Sequence, residues 1–208
     1  MTSALLVVLL TAPAAHADLN SNFSNAQGII TASSGQADNA TPAFTPVPGI
    51  KKDQAGPASL LIPQAERETA PDFTRVDRTG NNVSLSQYQG QVVILDLFGT
   101  WCGPCRSSIP HIVEAYPDLQ QAGIVMLGVG IGDTHDTINA LETKLIAAQK
   151  ITAALPYPIV ADQSGDVLKS FKQRGVPTYV VIDKLGRTAR IGHSFSAAVA
   201  MAQEALGE

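Results

Sequence analysis

The chain has 208 residues, with 14 Lys and Arg against 18 Asp and Glu, a net charge of -4 and 15% charged residues. That length supports one sizeable domain with appendages. Nothing in the charge balance points to a nucleic-acid binder: no basic stripe with interleaved aromatics occurs, and Lys51-Lys52 is too short to make one.

Residues 1–17 are apolar, with a run from Ala4 to Leu10 and the end Ala15-His16-Ala17. The run has the length of a secretory core, is too short for a membrane span, and ends on a small-residue cleavage pattern. These residues therefore read as a signal peptide cut after Ala17, although no Lys or Arg precedes the run. Export implies a periplasmic or otherwise extracytoplasmic location. Residues 18–69 are rich in Asn, Ser, Ala, Thr, Gly and Pro, as in Thr41-Pro42-Ala43-Phe44-Thr45-Pro46. No apolar period persists there, so the stretch buries too little surface to offset its chain entropy and reads as a disordered low-complexity tether.

A folded domain is expected over 70–208. Alternation in 71–77 and 83–85, around the turn chemistry of Arg78-Thr79-Gly80-Asn81-Asn82, predicts a hairpin. A short helical turn at 86–88 ends at Gly90. The almost continuous apolar run 91–98 predicts a strand buried on both faces. A helix over 102–121 follows, with Ile109, Ile112, Val113, Tyr116 and Leu119 on one face and Pro110 predicting a kink. A second buried strand spans 124–129, a Gly130-Ile131-Gly132-Asp133 corner follows, and the apolar face of Ile138, Leu141, Leu145 and Ile146 predicts a helix over 134–154. Next come a short strand at 158–160, a helix at 165–171, strands at 178–183 and 188–192 joined by the turn 184–187, and a helix at 196–206. Strands alternating with helices and ending in a hairpin imply an α/β three-layer domain.

Both cysteines lie in Trp101-Cys102-Gly103-Pro104-Cys105, at the expected strand-to-helix junction. An i, i+3 spacing on a first helical turn puts the two sulfurs within reach of an S–S bond. Pro104 suits a first turn and Gly103 leaves the approach to sulfur open. A thiolate at Cys102 would face unpaired backbone N–H groups, an effect of about 0.3–1 kcal/mol from the helix terminus. Cys105, one turn in, would be the resolving thiol. A structural staple gains little from a two-residue loop, because the benefit grows with loop length. The pair therefore points to dithiol/disulfide exchange without any other cofactor. Asp96 stands in an otherwise apolar strand, where an unpaired carboxylate is costly and its pKa rises. It is read either as a proton acceptor for Cys105 or as a salt-bridged structural carboxylate. The histidines His16, His111, His135 and His193 offer no Cys2His spacing, so no metal is expected.

From residue 71 to about 198 the chain resembles the thioredoxin-like fold, specifically the exported TlpA/ResA-type thiol-disulfide oxidoreductases. The resemblance rests on Asp96 six residues before Cys102, on the Trp101–Cys105 motif, on Gly175-Val176-Pro177-Thr178 ahead of a late strand, and on Pro110. The N-terminal hairpin and a central helical insertion of roughly thirty residues point to this type within the fold. The resemblance implies that Pro177 is a cis proline facing the disulfide, against the alternative of an ordinary strand-edge proline. It also implies that Trp101, Gly103, Pro104, Val176 and Thr178 form the surface that meets an extended protein substrate. Asp133 falls near the family's acidic residue beside the cysteines; equally, it could cap the helix that begins at Thr134. The thioredoxin lysine beside the buried aspartate has no counterpart in Leu127-Gly128-Val129-Gly130.

The implied activity is reduction of disulfides in periplasmic proteins, apocytochrome c among them, with electrons from a membrane-embedded thiol relay. Gly103-Pro104, the dipeptide of thioredoxin, favours reductase over oxidase. One alternative is a peroxiredoxin-type thiol peroxidase, which would need Thr where Gly99 stands, three residues before Cys102. The other is a non-enzymatic copper or thiol-binding chaperone, for which no nearby His or Met ligand follows the pair.

Overall fold

Strand residues of both parities are apolar in the long runs, and burial of both faces is the organising fact of the fold. The computed structural model describes residues 59–208; the expected signal peptide and the tether through residue 58 lie outside the described residues. Strands β1 (Thr74–Val76) and β2 (Asn82–Ser84) form an antiparallel hairpin, with Thr74 opposite Ser84. Then follow β3 (Val92–Phe98), α1 (Gly103–Gln121), β4 (Ile124–Ile131), α2 (His135–Ala147), β5 (Ile159–Asp162), α3 (Asp166–Ser170), β6 (Thr178–Ile182), β7 (Thr188–Gly192) and α4 (Phe195–Leu206). The main sheet has the order β5-β4-β3-β6-β7. Neighbours β5, β4 and β3 are parallel, while β6 runs antiparallel to β3 and to β7.

Side-chain parity sorts the core into two layers. On one face Val92, Ile94 and Phe98 of β3, with Met126 and Tyr179, pack under Ile109 and Ile112 of α1, Ile138 of α2 and Ala202 of α4. On the other, Val93, Leu95 and Leu97 pack against Val167 of α3 and against Phe73, Val83 and Leu85 at the hairpin. This is the three-layer thioredoxin-like arrangement, and it brings the C-terminal end of central β3 to the start of α1.

Several boundaries differ from expectation. The packed chain begins upstream of Ala70: Leu61 is 5% exposed, and residues of the 59–70 segment bond along β7 (Ile62 N–H to Ala189 O, 2.9 Å; Thr188 N–H to Glu68 O, 2.9 Å). Backbone pairing with a sheet edge, rather than an apolar period, holds this stretch, so composition alone assigned it to the tether. Helix α2 stops at Ala147, because Gln149 takes a left-handed φ of 55°. The following segment is irregular, held by Glu142, which accepts from Leu155 N–H (2.8 Å) and from Arg78 (2.5 Å). Helix α1 runs through Pro110 and also through Pro117.

Candidate active site

Cys102 is the N-cap of α1, and Pro104 lies in its first turn. Cys102 and Cys105 form a disulfide with Cα atoms 5.3 Å apart. Cys102 Sγ accepts from Cys105 N–H at 3.2 Å, so one of the helix's unpaired donors points at sulfur. Both cysteines are buried, while Gly103 and Pro104 are exposed. Across the junction, Val176 O lies 3.6 Å from Cys102 Sγ. The Val176-Pro177 peptide is cis, so the loop before β6 sits directly against the sulfurs with half-buried Val176 and Pro177.

Trp101 is 64% exposed, yet its orientation is fixed. Its indole Nε1–H donates to Ile131 O at 3.0 Å, and the ring lies over Gly99, where an added Cβ would stand 2.6 Å from Trp101 Cε2. Only a residue without a side chain fits under that ring. The β3–α1 junction is then tied to β4 and α2 through Asp133. Its carboxylate accepts from Thr100 N–H (2.8 Å), Thr100 Oγ1 (2.6 Å) and Thr137 Oγ1 (2.9 Å). The N-cap of α2 is Thr134, whose Oγ1 accepts from Thr137 N–H, not Asp133 as one sequence reading had it. Asp133 lies one residue too early to cap, and its oxygens are taken up by the junction that carries Trp101 and Cys102.

Asp96 projects to the same face of β3 as Ile94 and Phe98, the face that also buries Cys105. It is 2% exposed, and its Oδ1 has no hydrogen-bond partner. No cation stands beside it, so the expectation of a salt-bridged carboxylate does not hold among the described residues. Burial raises its pKa from 3.8 to about 7. Opposite Asp96 in the register are Gly128 and Tyr179. Burial, and then the nearby Asp96 charge, raise the pKa of the phenols of Tyr179 and Tyr157. A polar thread leads from Tyr179 Oη through Ser108 Oγ (3.1 Å) to the Cys105 carbonyl (2.8 Å).

Residue-level homology places this geometry. A model of the AhpC/TSA family matches residues 67–190. The chain belongs to the AhpC/TSA family. Over 123 residues it is 33% identical to the thiol-disulfide oxidoreductase ResA of Geobacillus kaustophilus, a match covering 59% of this chain and 66% of that relative. The chain thus spans just under two thirds of the length of the curated relatives it matches. Its fold superimposes on a secreted thiol-disulfide isomerase from Corynebacterium glutamicum with a TM-score of 0.59 at 25% identity, covering 73% of this chain and 95% of the other. It also superimposes on a thioredoxin-family thiol:disulfide interchange protein from Chlorobium tepidum, with a TM-score of 0.56 at 25% identity over 70% of this chain and 100% of that one.

In this AhpC/TSA-family protein the structure gathers Trp101, Cys102, Gly103, Pro104 and Cys105 with Val176, Pro177 and Thr178 at one end of the sheet, and sets Asp96 beneath them. Two contributors were not legible in the sequence. Thr100 carries the link to Asp133. His193, read only as a strand end, lies beside Pro177 O (Nδ1 at 2.9 Å) and Thr178 Oγ1 (3.4 Å), bracing the cis-proline loop from behind. The Thr100-Trp101 adjacency and the His193 position one residue past β7 were visible, but neither has a spacing that points to a partner 33 or 15 residues away.

Proposed function

We propose that this protein is an exported thiol-disulfide oxidoreductase working in the reducing direction on protein disulfides. The observation that carries the reading is the Cys102–Cys105 pair at the N-terminus of α1, set against the Val176-Pro177 loop. In the reduced protein Cys102 is the nucleophile: amide N–H groups and the helix terminus favour its thiolate by a term of about 0.3–1 kcal/mol from the terminus. It attacks one sulfur of a substrate disulfide, a Cys102–substrate S–S bond forms, and the other substrate sulfur leaves as a thiolate that takes up a proton.

The Cys105 thiol then loses its proton, with ionised Asp96 as the acceptor on the same core face, and attacks Cys102 Sγ. The second substrate thiolate leaves, and two electrons have passed from the dithiol to the substrate. An acceptor with a pKa near 7 holds and releases a proton at neutral pH, which an ordinary carboxylate does poorly. The disulfide is the redox centre and no further cofactor enters. Trp101 and the Val176 and Thr178 backbone would hold the substrate chain, and Gly103-Pro104 supports reduction over oxidation. Gly99 three residues before Cys102 supports exchange over peroxidase chemistry. The signal-like first seventeen residues and the secreted Corynebacterium relative support an extracytoplasmic setting, with apocytochrome c thiols among the substrates and a membrane-embedded thiol relay as electron source.

Insulin reduction driven by dithiothreitol tests the activity. The parent protein accelerates it, and Cys102→Ser lowers the rate at least about a hundredfold. A Cys102→Ser protein as active as the parent would overturn the reading.

A further inference from the structure

The chain carries a net charge of -4, yet two arginines without an ion pair among the described residues flank its redox site. Arg106 stands one helical turn from Cys102, its backbone N–H bonded to Cys102 O at 3.1 Å. Arg174 immediately precedes the Gly175-Val176-Pro177 loop. Both are exposed, and among the described residues neither joins an ion pair. Three carboxylates around the site are already engaged, while exposed Asp136 in the first turn of α2 joins no ion pair among the described residues. Asp133 is taken by Thr100 and Thr137, Asp162 pairs with Arg75 at 3.0 Å, and Asp166 pairs with Lys169 at 3.1 Å.

Arg174 also lines an open groove of about 470 Å³ that starts at Trp101 and continues past Ile131, Gly132, Leu168 and Gln173. Its lining combines the fixed indole, the apolar side chains of Ile131 and Leu168, the polar Gln163 and Ser164, and two cations, the Arg174 guanidinium and the Lys169 ammonium. Trp and Arg are the side chains that most often anchor a protein interface. The groove is too large for one side chain and open along its length, which suits an extended segment rather than a small molecule.

We propose that this groove takes the chain flanking the disulfide of a protein substrate, and that it selects flanks carrying an apolar residue followed by Asp or Glu. The apolar residue lies on Trp101 and Leu168, and the carboxylate meets Arg174, with Arg106 adding to the attraction from the other side of Cys102. This selectivity rests on the oxidoreductase reading above. Rim charges of this kind act mainly on the rate of encounter and fade with salt.

The test is single-turnover exchange between the pre-reduced protein and two cyclic peptides, each with one internal disulfide, that differ only in a Glu-Glu or a Lys-Lys flank. Peptide thiol release is followed by quenching and mass spectrometry. The acidic peptide reacts about fivefold faster at low salt, and the advantage shrinks below about twofold near 0.5 M NaCl. Arg174→Glu brings the ratio to one or below, whereas Arg174→Lys keeps it above one. Circular dichroism checks that both variants fold, as expected for an exposed position. Equal rates for the two peptides, or the same ratio in the parent and Arg174→Glu, overturn the groove assignment alone. No exchange with either peptide overturns the oxidoreductase reading and the proposal with it.

Discussion

At the level of single residues, Asp96 carries the clearest energetic signature. A carboxyl that ionises near 3.8 when exposed and near 7 in the fold keeps its proton longer in the native state than in the unfolded chain. Its full contribution is therefore present below about pH 4, falls as pH rises, and is lost above about pH 7. The total is on the order of 4 kcal/mol at most. Urea unfolding of the oxidised protein at a series of pH values should show stability falling through this window, while Asp96→Asn removes that slope. Parallel slopes in the two proteins would refute the buried, unpartnered state of Asp96. The apolar run 91–98 was enough to show that this carboxylate is buried. Its lack of a cation was half legible, since Gly128 and Gly130 replace any neighbouring lysine. Its lack of a hydrogen-bond donor at Oδ1 was not, because that depends on Tyr157 and Tyr179, which arrive from segments distant in sequence.

Among the elements, the β3–α1 junction does the positioning. Gly99 lets the indole of Trp101 lie down on the backbone, Ile131 O fixes its plane, and Asp133 ties Thr100 to the start of α2. Gly99→Ala puts a Cβ 2.6 Å from the ring, so the indole must move. The chain's single Trp makes this visible. The variant should show a shifted emission maximum, a several-fold higher KM for a protein disulfide with kcat changed less, and a stability loss of about 1–3 kcal/mol. Unchanged emission and KM would mean that the ring is not seated as described. The helix starting after Cys102 and both buried strands were readable from periodicity and from Pro104. The end of α2 was not: Ile151, inside the expected helix, is buried from an irregular segment anchored on Glu142.

For the molecule as a whole, a sheet covered on both faces leaves its C-terminal end of β3 as the natural place for a reactive site, because there the chain turns from a buried strand into a helix N-terminus. The hairpin and the α2 insertion were legible as additions to a plain thioredoxin-like fold. The contribution of residues 59–69 was not, since it is made by backbone bonds to β7 and by Arg67, which is buried between Asp183 (3.1 Å) and Glu208 (2.5 Å). Such contacts leave no period in the sequence. The exchange chemistry turns on the order of the two thiols, Cys102 attacking and Cys105 resolving. Mass spectrometry of reduced Cys105→Ser protein after exposure to a disulfide-containing protein tests it most directly. A stable adduct on Cys102 that dithiothreitol releases is the expected result; the absence of any adduct, or its accumulation on Cys105 in the Cys102→Ser protein instead, would contradict that order of attack.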